Sequence, residues 1–445
     1  LAFDAVFHLY WATGATWPAA DEFALSSAVL GFGASFAPSM VLPLAALLSL
    51  AAASALFCAR EDGPGWLRRP ARLVVAAVTA GASMRAALGV LWMVSALGYT
   101  PQPFYALNIA LYTPMCLALA WAGFRLLGSG RRPRTVRVAT IGGPVLLAIG
   151  LLVGSIAYPT ASADRAAPTD VIAPAESSYV DSPLARFHYL KLGTGSPVVL
   201  LAPGSFSAAG WMPQVRALAR DHTVYAVDLP GQGYTELRRE DFTYDLAGMT
   251  ESVDAFLDAA DLQDVSLGGN SWSGGWALAY AQAHPERVEN LLLLAPSGID
   301  APDPSSWEMM KLPVIGQLMT RIGSSDVSTV EAAVNGLLEH DDAVSDELVH
   351  ALAVPATFPD NADATQELQA RLDWEPVDDG LSSTRTPTLL LWGDQDSVLP
   401  VDRAAIFGER MPDARVETLT GCGHALTIDC PDQVNEAMRE FLDGD

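Results

Sequence analysis

Seven residues, Gly269-Asn270-Ser271-Trp272-Ser273-Gly274-Gly275, combine a hydroxyl nucleophile with the small neighbours that a very tight turn needs. An apolar run, Val265 to Leu267, precedes them, and a helical stretch, Trp276 to Gln282, follows. A serine between strand and helix, with small residues two before and two or more after, reads as a nucleophile elbow. Larger flanking side chains would clash there, and the serine's own backbone is strained. The strain lifts the hydroxyl above the sheet, where the helix N-terminus favours developing negative charge. Ser271 is therefore the candidate nucleophile. Ser273 occupies a position where glycine is usual, and a frame shifted by two would make Ser273 the nucleophile instead. Ser271 is preferred because its frame keeps Gly269 at the tightest point. Many turns produce such a run, so it gains weight only from an acid and a histidine further on.

Both types are present downstream. Leu391-Trp392-Gly393-Asp394-Gln395-Asp396 ends an apolar run in two carboxylates, and Gly421-Cys422-Gly423-His424 follows a last apolar stretch near 415–419. A serine hydroxyl is a poor nucleophile until a base takes its proton; His424 can do so and return the proton to a leaving group. A carboxylate behind the imidazole fixes its tautomer and stabilises its positive form. Asp394 and Asp396 compete for that task.

These residues need elements to position them, and the second part of the chain supplies a regular alternation. Apolar runs at Val198–Leu201, Val224–Val227, Val265–Leu267, Leu291–Leu294 and Thr388–Leu391 read as buried parallel strands. Amphipathic stretches at Met212–Ala219, Leu246–Ala260 and Trp276–Gln282 read as crossover helices. Such alternation builds an open α/β sheet with its reactive groups at the carboxyl ends of the strands.

Residues 184–445 resemble the α/β-hydrolase family. The resemblance is carried by Leu200-Leu201-Ala202-Pro203-Gly204-Ser205, by Asp228-Leu229-Pro230-Gly231-Gln232-Gly233, by the elbow, and by the two downstream stretches. It implies the order nucleophile, acid, base, met by Ser271, Asp396 and His424. The family pattern sets the acid three residues after the glycine, which favours Asp396 over Asp394. It also implies an oxyanion hole made by the backbone N–H groups of Ser205 and Trp272. The family usually has His-Gly where this chain has Pro203-Gly204. The donor is the residue after the glycine, so the hole survives, but the loop loses a histidine that normally helps to hold it. Asp228 is read as organiser of the Pro230–Gly233 turn. His188, His222 and His284 are read as surface or capping residues, and His340 and His350 as lid surface.

About 85 residues separate the strand ending near Ala295 from the one starting near Pro387, too many for a simple crossover. Residues 302–381 are expected to form a mostly helical lid. Its front, Trp307 to Leu312 and Val314 to Met319, is apolar and rich in methionine. It suits either a flexible wall for a greasy substrate or plain packing of the lid. Phe206, Met309, Met310 and Val398 are the candidate substrate contacts.

The first 157 residues belong to another solvent. They carry 10 Lys+Arg against 5 Asp+Glu, net +5, whereas the remainder carries 16 against 46, net −30, within a chain of net charge −25. The acidic part repels phosphates and argues against nucleic-acid partners. Four apolar segments, about 40–59, 73–97, 104–127 and 138–157, each reach the roughly 20 residues that cross about 30 Å of hydrocarbon. Pro43, Pro114 and Pro144 are tolerable kinks in that setting. Leu1–Trp11 is apolar but short and reads as the tail of a first span, with a cleaved mature N-terminus as the alternative. Arginines gather after the segment at 40–59 (Arg60, Arg68, Arg69, Arg72) and after the one at 104–127 (Arg131, Arg132, Arg134, Arg137). The positive-inside rule then leaves everything after Ala157 outside.

Inside this block Arg85 stands near the middle of a span, and Asp4 and His8 share a helical face. One reading is a polar cluster of the three within the bundle; the other is ordinary structural pairing. His8-Leu9-Tyr10-Trp11-Ala12 with Trp17-Pro18 resembles an uncharacterised family of small bacterial integral membrane proteins, which implies no activity. Residues 158–183 are rich in Ala, Pro, Ser and Asp and read as an extended tether. Of four cysteines, Cys58 and Cys116 read as core, while Cys422 and Cys430 flank His424 and could pair in an oxidising compartment.

The sequence thus predicts a transmembrane helical domain (1–157), a linker (158–183) and an α/β-hydrolase domain (184–445). The expected chemistry is outward-facing cleavage of a small apolar ester through an acyl-serine, with no cofactor or metal. Carbon–carbon hydrolysis, amidase or acyl-transfer chemistry would use the same triad. A carboxylate nucleophile, as epoxide or haloalkane hydrolysis needs in this family, is absent from the elbow. From a different class, the membrane block could be a sensor or transporter whose hydrolase domain only binds a ligand.

Overall fold

The computed structural model describes residues 1–19, 25–26, 28–29, 36, 38–60, 64–93, 107–128, 169–301, 305–340 and 344–444. The chain divides into two compact units, Leu1–Tyr158 with Pro302–Leu318, and Pro159–Ala301 with Met319–Asp445.

The first unit is helical: α1 (Ala2–Trp11), α2 (Pro38–Ala59), α3 (Gly65–Met93) and α4 (Thr113–Gly128), the last entered through one π-helical turn, Asn108–Tyr112. Among the described residues three stretches, Val41–Ala59, Gly65–Gly89 and Asn108–Leu127, are long and apolar enough to cross a membrane. Leu42, Leu44, Leu47, Leu50 and Leu56 are exposed on α2, as suits a lipid-facing helix. The second expected span is longer than the apolar pattern indicated, because α3 starts at Gly65 and carries Arg68, Arg69 and Arg72 in its first turns. The expected span at 138–157 and the arginine loop before it, 131–137, lie outside the described residues.

Asp4 and His8 pair along α1, with Nδ1 of His8 3.4 Å from an Asp4 carboxylate oxygen and 2.9 Å from its carbonyl. Arg85 donates from Nη1 to Oδ1 of Asn108 at 3.0 Å, a partner the sequence reading did not name. Asn108 also accepts from Thr113 at 3.1 Å and donates to the Gly89 carbonyl at 2.9 Å. An amide that both accepts and donates suits a half-buried guanidinium in an apolar helix bundle.

The second unit is built on a nine-stranded sheet in the order β1-β2-β4-β3-β6-β7-β8-β9, with the short β5 beside β2. The strands are β1 (Glu176–Asp181), β2 (Ala185–Gly193), β3 (Ser196–Leu201), β4 (His222–Val227), β5 (Glu236–Leu237), β6 (Val265–Asn270), β7 (Val288–Leu294), β8 (Thr388–Gly393) and β9 (Ala414–Leu419). From β4 through β9 neighbours are parallel; β1 and β2 pair antiparallel at the edge. Val198–Leu201, Leu291–Leu294 and Leu389–Trp392 are completely buried, which is why central strands read as unbroken apolar runs.

The expected tether is corrected here. Its second half folds as a short helix, α5 (Thr169–Ile172), and as β1 in register with β2, Glu176 opposite Lys191 and Asp181 opposite Arg186. An edge strand with mostly solvent-accessible residues needs no apolar run, so its sequence looks like linker.

Crossovers are made by α6 (Met212–Leu218), α7 (Leu246–Ala259) and α8 (Trp272–Ala283). Among the described residues six α-helices stand between β7 and β8: α9 (Ser305–Met310), α10 (Pro313–Gly323), α11 (Val327–Asn335), α12 (Asp346–Ala356), α13 (Pro359–Arg371) and α14 (Glu375–Gly380). This insertion is helical as expected, but Pro302–Leu318 belongs to the first unit and the rest to the second. The chain ends with α15 (Asp402–Arg410), α16 (Leu426–Asp429) and α17 (Pro431–Asp443).

Candidate active site

Strand β6 ends at Asn270 and α8 begins at Trp272, leaving Ser271 alone to make the turn at φ 60°, ψ −123°. A non-glycine residue at positive φ costs about 1–3 kcal/mol and persists only where the surroundings impose it. Here Ser271 N–H donates to the Leu294 carbonyl at 3.0 Å, and the Ser271 carbonyl accepts from Gly275 (3.1 Å) and Ser297 (2.9 Å). A Cβ on Gly269 would run into the backbone of Ser273 and Gly274, so only glycine fits two residues before the turn. The half-buried Ser271 side chain makes no capping bond to its helix.

Ser273 has a different task. It is fully buried, accepts from the Asn270 N–H at 3.0 Å, and its hydroxyl reaches the carbonyls of Asn270 (2.9 Å) and Leu201 (3.2 Å). Such a hydroxyl ties the turn together and is in no position to attack, which favours the first frame.

His424 lies on the loop after β9, 5% exposed, with Nδ1 2.8 Å from Oδ2 of Asp396. The Asp396 side chain is completely buried, and its Oδ1 accepts from the N–H groups of Val398 and Leu399, each at 2.8 Å. Those bonds orient the carboxylate and leave one oxygen for the imidazole. Asp394 is occupied elsewhere, accepting the Gly421 N–H at 2.7 Å. Both carboxylates serve the histidine loop, one through the ring and one through the backbone. Asn270 joins this loop to the elbow, donating from Nδ2 to the carbonyls of Leu294 (2.8 Å) and His424 (3.4 Å). Cys422 and Cys430 are disulfide-bonded, with Cα atoms 5.9 Å apart, and bracket His424.

The loop carrying Ser205 turns tightly at Gly204 (φ +42°), with Phe206 N–H donating to the Pro203 carbonyl at 2.9 Å. What replaces the family's missing histidine is Gln232, whose Nε2 donates to the carbonyls of Ala202 (2.9 Å) and Gly204. Asp228 assists: Oδ1 accepts the Ala208 N–H at 2.6 Å, and Oδ2 accepts the Tyr234 N–H at 3.0 Å. Asp228 therefore organises the Pro230–Gly233 turn as expected and the Ser205 loop besides. Gln232 was visible in the sequence only as a turn residue; nothing marked its reach across to β3.

His188 is a correction. Read as surface or capping, it is buried on β2, with Nδ1 2.6 Å from Asp228 and Nε2 2.9 Å from the Ser177 hydroxyl. The antiparallel β2 was not anticipated, and its register turns His188 toward Asp228. His222 lies 2.8 Å from the Ser196 hydroxyl, but those residues start β4 and β3, at the opposite end of the sheet from Ser271. Exposed His340 and His350 sit on the lid, the latter paired with Glu331 at 2.8 Å. Of the candidate substrate contacts, half-buried Phe206 and Val398 fall in the second unit and Met309 and Met310 in the first. Among the described residues no His/Cys/Asp/Glu group is arranged to hold a metal.

A strained serine at the carboxyl end of a parallel strand, followed by a carboxylate-backed histidine after the last strand, defines a hydrolase of the α/β class. Residues 197–431, more than half the chain, match the family described as alpha/beta hydrolase fold, and the chain belongs to it. Residues 1–123 match a family described as a protein of unknown function (DUF3995). The chain is 26% identical over 266 residues to a 2-hydroxy-6-oxo-6-phenylhexa-2,4-dienoate hydrolase of Burkholderia cepacia, covering 58% of this chain and 91% of that one. Naproxen esterase from Bacillus subtilis shares the fold at TM-score 0.51 and 20% identity, over 61% of this chain and 93% of its own. A bacterial membrane phospholipase A does so at TM-score 0.52 and 23% identity, over 70% of this chain and 94% of its own.

Proposed function

We propose that this chain is a membrane-anchored serine hydrolase that cleaves a carboxylic ester of an apolar small molecule, with its hydrolase unit on the outer side of the membrane. The observation that carries the reading is Ser271 at positive φ on a turn that Asn270 ties to the loop of a buried Asp396–His424 dyad, its two side chains 2.8 Å apart. In this reading His424 accepts the Ser271 proton as the hydroxyl attacks the carbonyl carbon. The N–H groups of Ser205 and Trp272 hold the oxyanion, and His424 protonates the leaving alcohol. Water, deprotonated by the same imidazole, then releases the acid from the acyl-serine. The Cys422–Cys430 disulfide supports an oxidising compartment and so agrees with the orientation given by the arginine loops.

The relative from Burkholderia cepacia favours a second reading, hydrolysis of a carbon–carbon bond in a vinylogous diketo acid by the same residues. Two experiments on the full chain in detergent or vesicles test both. A fluorophosphonate probe should label the wild-type protein and not Ser271→Ala; labelling that persists in the variant removes Ser271 from the mechanism. Turnover of p-nitrophenyl esters of increasing chain length should exceed turnover of a 2-hydroxy-6-oxo-dienoate, and the reverse ranking would replace the first reading by the second.

A further inference from the structure

Asp429 is a carboxylate in an unusual position. It is buried, 3% exposed, and five residues after His424. Its Oδ2 accepts the Gly423 N–H at 2.6 Å, next to the histidine. Its Oδ1 accepts the N–H groups of Glu339 (2.9 Å) and His340 (2.8 Å), which belong to the lid segment between α11 and α12. Three backbone donors from two stretches more than eighty residues apart thus meet on one side chain. Alongside, Ala425 N–H donates to the Leu337 carbonyl at 3.3 Å. Gly423 is packed so closely that an added Cβ would lie 2.8 Å from that same carbonyl. The following lid helices reach the other catalytic loops. Ser207 donates to the Ala351 carbonyl at 3.3 Å, and Asn361 donates to the Gly233 carbonyl at 2.9 Å.

We infer that Asp429 is a positioning residue through which docking of the lid segment Leu337–His340 holds the His424 loop in its working place. The inference rests on the reading of His424 as the catalytic base. When the lid segment lifts, Asp429 loses two of its three donors and the bond to Gly423 is no longer braced. The base is then correctly placed only while the lid is down. A base displaced by even 1 Å loses about two orders of magnitude in rate, so lid closure and catalytic competence become one event. The charge is felt on the lid side as well: burial, and then the neighbouring Asp429, push the Glu339 carboxyl above its ordinary range.

The test uses the full-length protein. Asp429→Asn keeps the shape but replaces an acceptor oxygen with a donor group, while His340→Pro removes one lid N–H and leaves the proposed catalytic residues untouched. Each should lower kcat about tenfold or more with KM nearly unchanged. In the double variant the losses should not multiply, because both remove the same link. A His340→Pro protein with wild-type kcat, or losses that multiply, would show that Asp429 serves its own loop alone and overturn the coupling.

Native-state hydrogen exchange on the unmodified protein decides the matter without a variant. The Gly423, Glu339 and His340 amides should open together as denaturant is raised, on a single isotherm. Separate isotherms overturn the proposal. That measurement needs no turnover, so a failed fluorophosphonate test, which bears on the reading of Ser271 as nucleophile, is distinguishable from a failure of the coupling.

Discussion

Nδ2 of Asn270 lies 3.4 Å from the carbonyl oxygen of His424, across 154 residues of sequence. Asn270 immediately precedes the elbow serine and is anchored to β7 through the Leu294 carbonyl. The turn that presents Ser271 and the loop that presents His424 therefore share one side chain as a strut.

Ser271→Ala and His424→Ala should each lower ester turnover by about 10⁴-fold or more. Ser273→Ala should behave differently, since its hydroxyl is a buried tie within the turn. Its loss should cost about 1–2 kcal/mol of stability and retain most turnover. Denaturation midpoints and steady-state kinetics on the three variants separate the roles, and a dead, stable Ser273→Ala would reverse the choice of frame.

The two neighbouring aspartates should also part company. Asp396→Asn leaves the imidazole without its orienting charge and should reduce kcat by about 10⁴-fold. Asp394→Asn only weakens the hold on Gly421, and about tenfold or less is expected from one hydrogen bond's worth of free energy. Equal losses in the two would mean that the acid is not assigned correctly.

Gln232→Leu removes the amide that spans the Ala202 and Gly204 carbonyls. A loosened Ser205 loop should lower kcat by about 10–10² with little change in KM, short of the 10²–10³ lost when an oxyanion donor itself is removed. Unchanged kcat would show that the loop holds its shape without the glutamine.

Reduction of Cys422–Cys430 opens a small covalent ring around His424. Closing a loop of this size contributes about 2–3 kcal/mol in the chain-entropy account. Dithiothreitol, or Cys422→Ser with Cys430→Ser, should lower the melting temperature and turnover together. Identical melting curves with and without reductant would remove the disulfide from the stability of this loop.

Asp326 caps α11, accepting the Thr329 N–H at 3.0 Å and the hydroxyls of Ser328, Thr329 and Ser325. Burial raises its carboxyl, but these bonds outweigh burial and hold it below its ordinary value. A depressed folded-state value means the stabilisation is complete above the unfolded carboxylate range and is lost as pH falls through the folded value. Asp326→Ala should therefore cost about 1 kcal/mol near neutrality, with the gap to wild type narrowing below about pH 4. A constant gap down to strong acid would refute the charged cap.

The reactive residue types and their order were legible in the chain itself because the elbow, the post-strand carboxylates and the late histidine are local patterns. A tight turn demands small neighbours, and a strand buried on both faces demands an apolar run, wherever the rest of the molecule lies. The same holds for the apolar helices of the first unit, whose length and composition are enough to cross hydrocarbon. What remained hidden were the edge strand β1, read as tether because partial exposure relaxes the apolar pattern, and its neighbour β2 at the start of the expected hydrolase domain. Hidden too were the partners that meet only across the fold: Gln232 with Gly204, His188 with Asp228, Asn108 with Arg85, and Asp429 with the lid. Each is a hydrogen bond between a side chain and a group from another segment, and such bonds leave no periodicity in a sequence. Tertiary structure alone brings the two ends of each bond within 3 Å or so, and it alone decided that both aspartates after β8 brace one histidine.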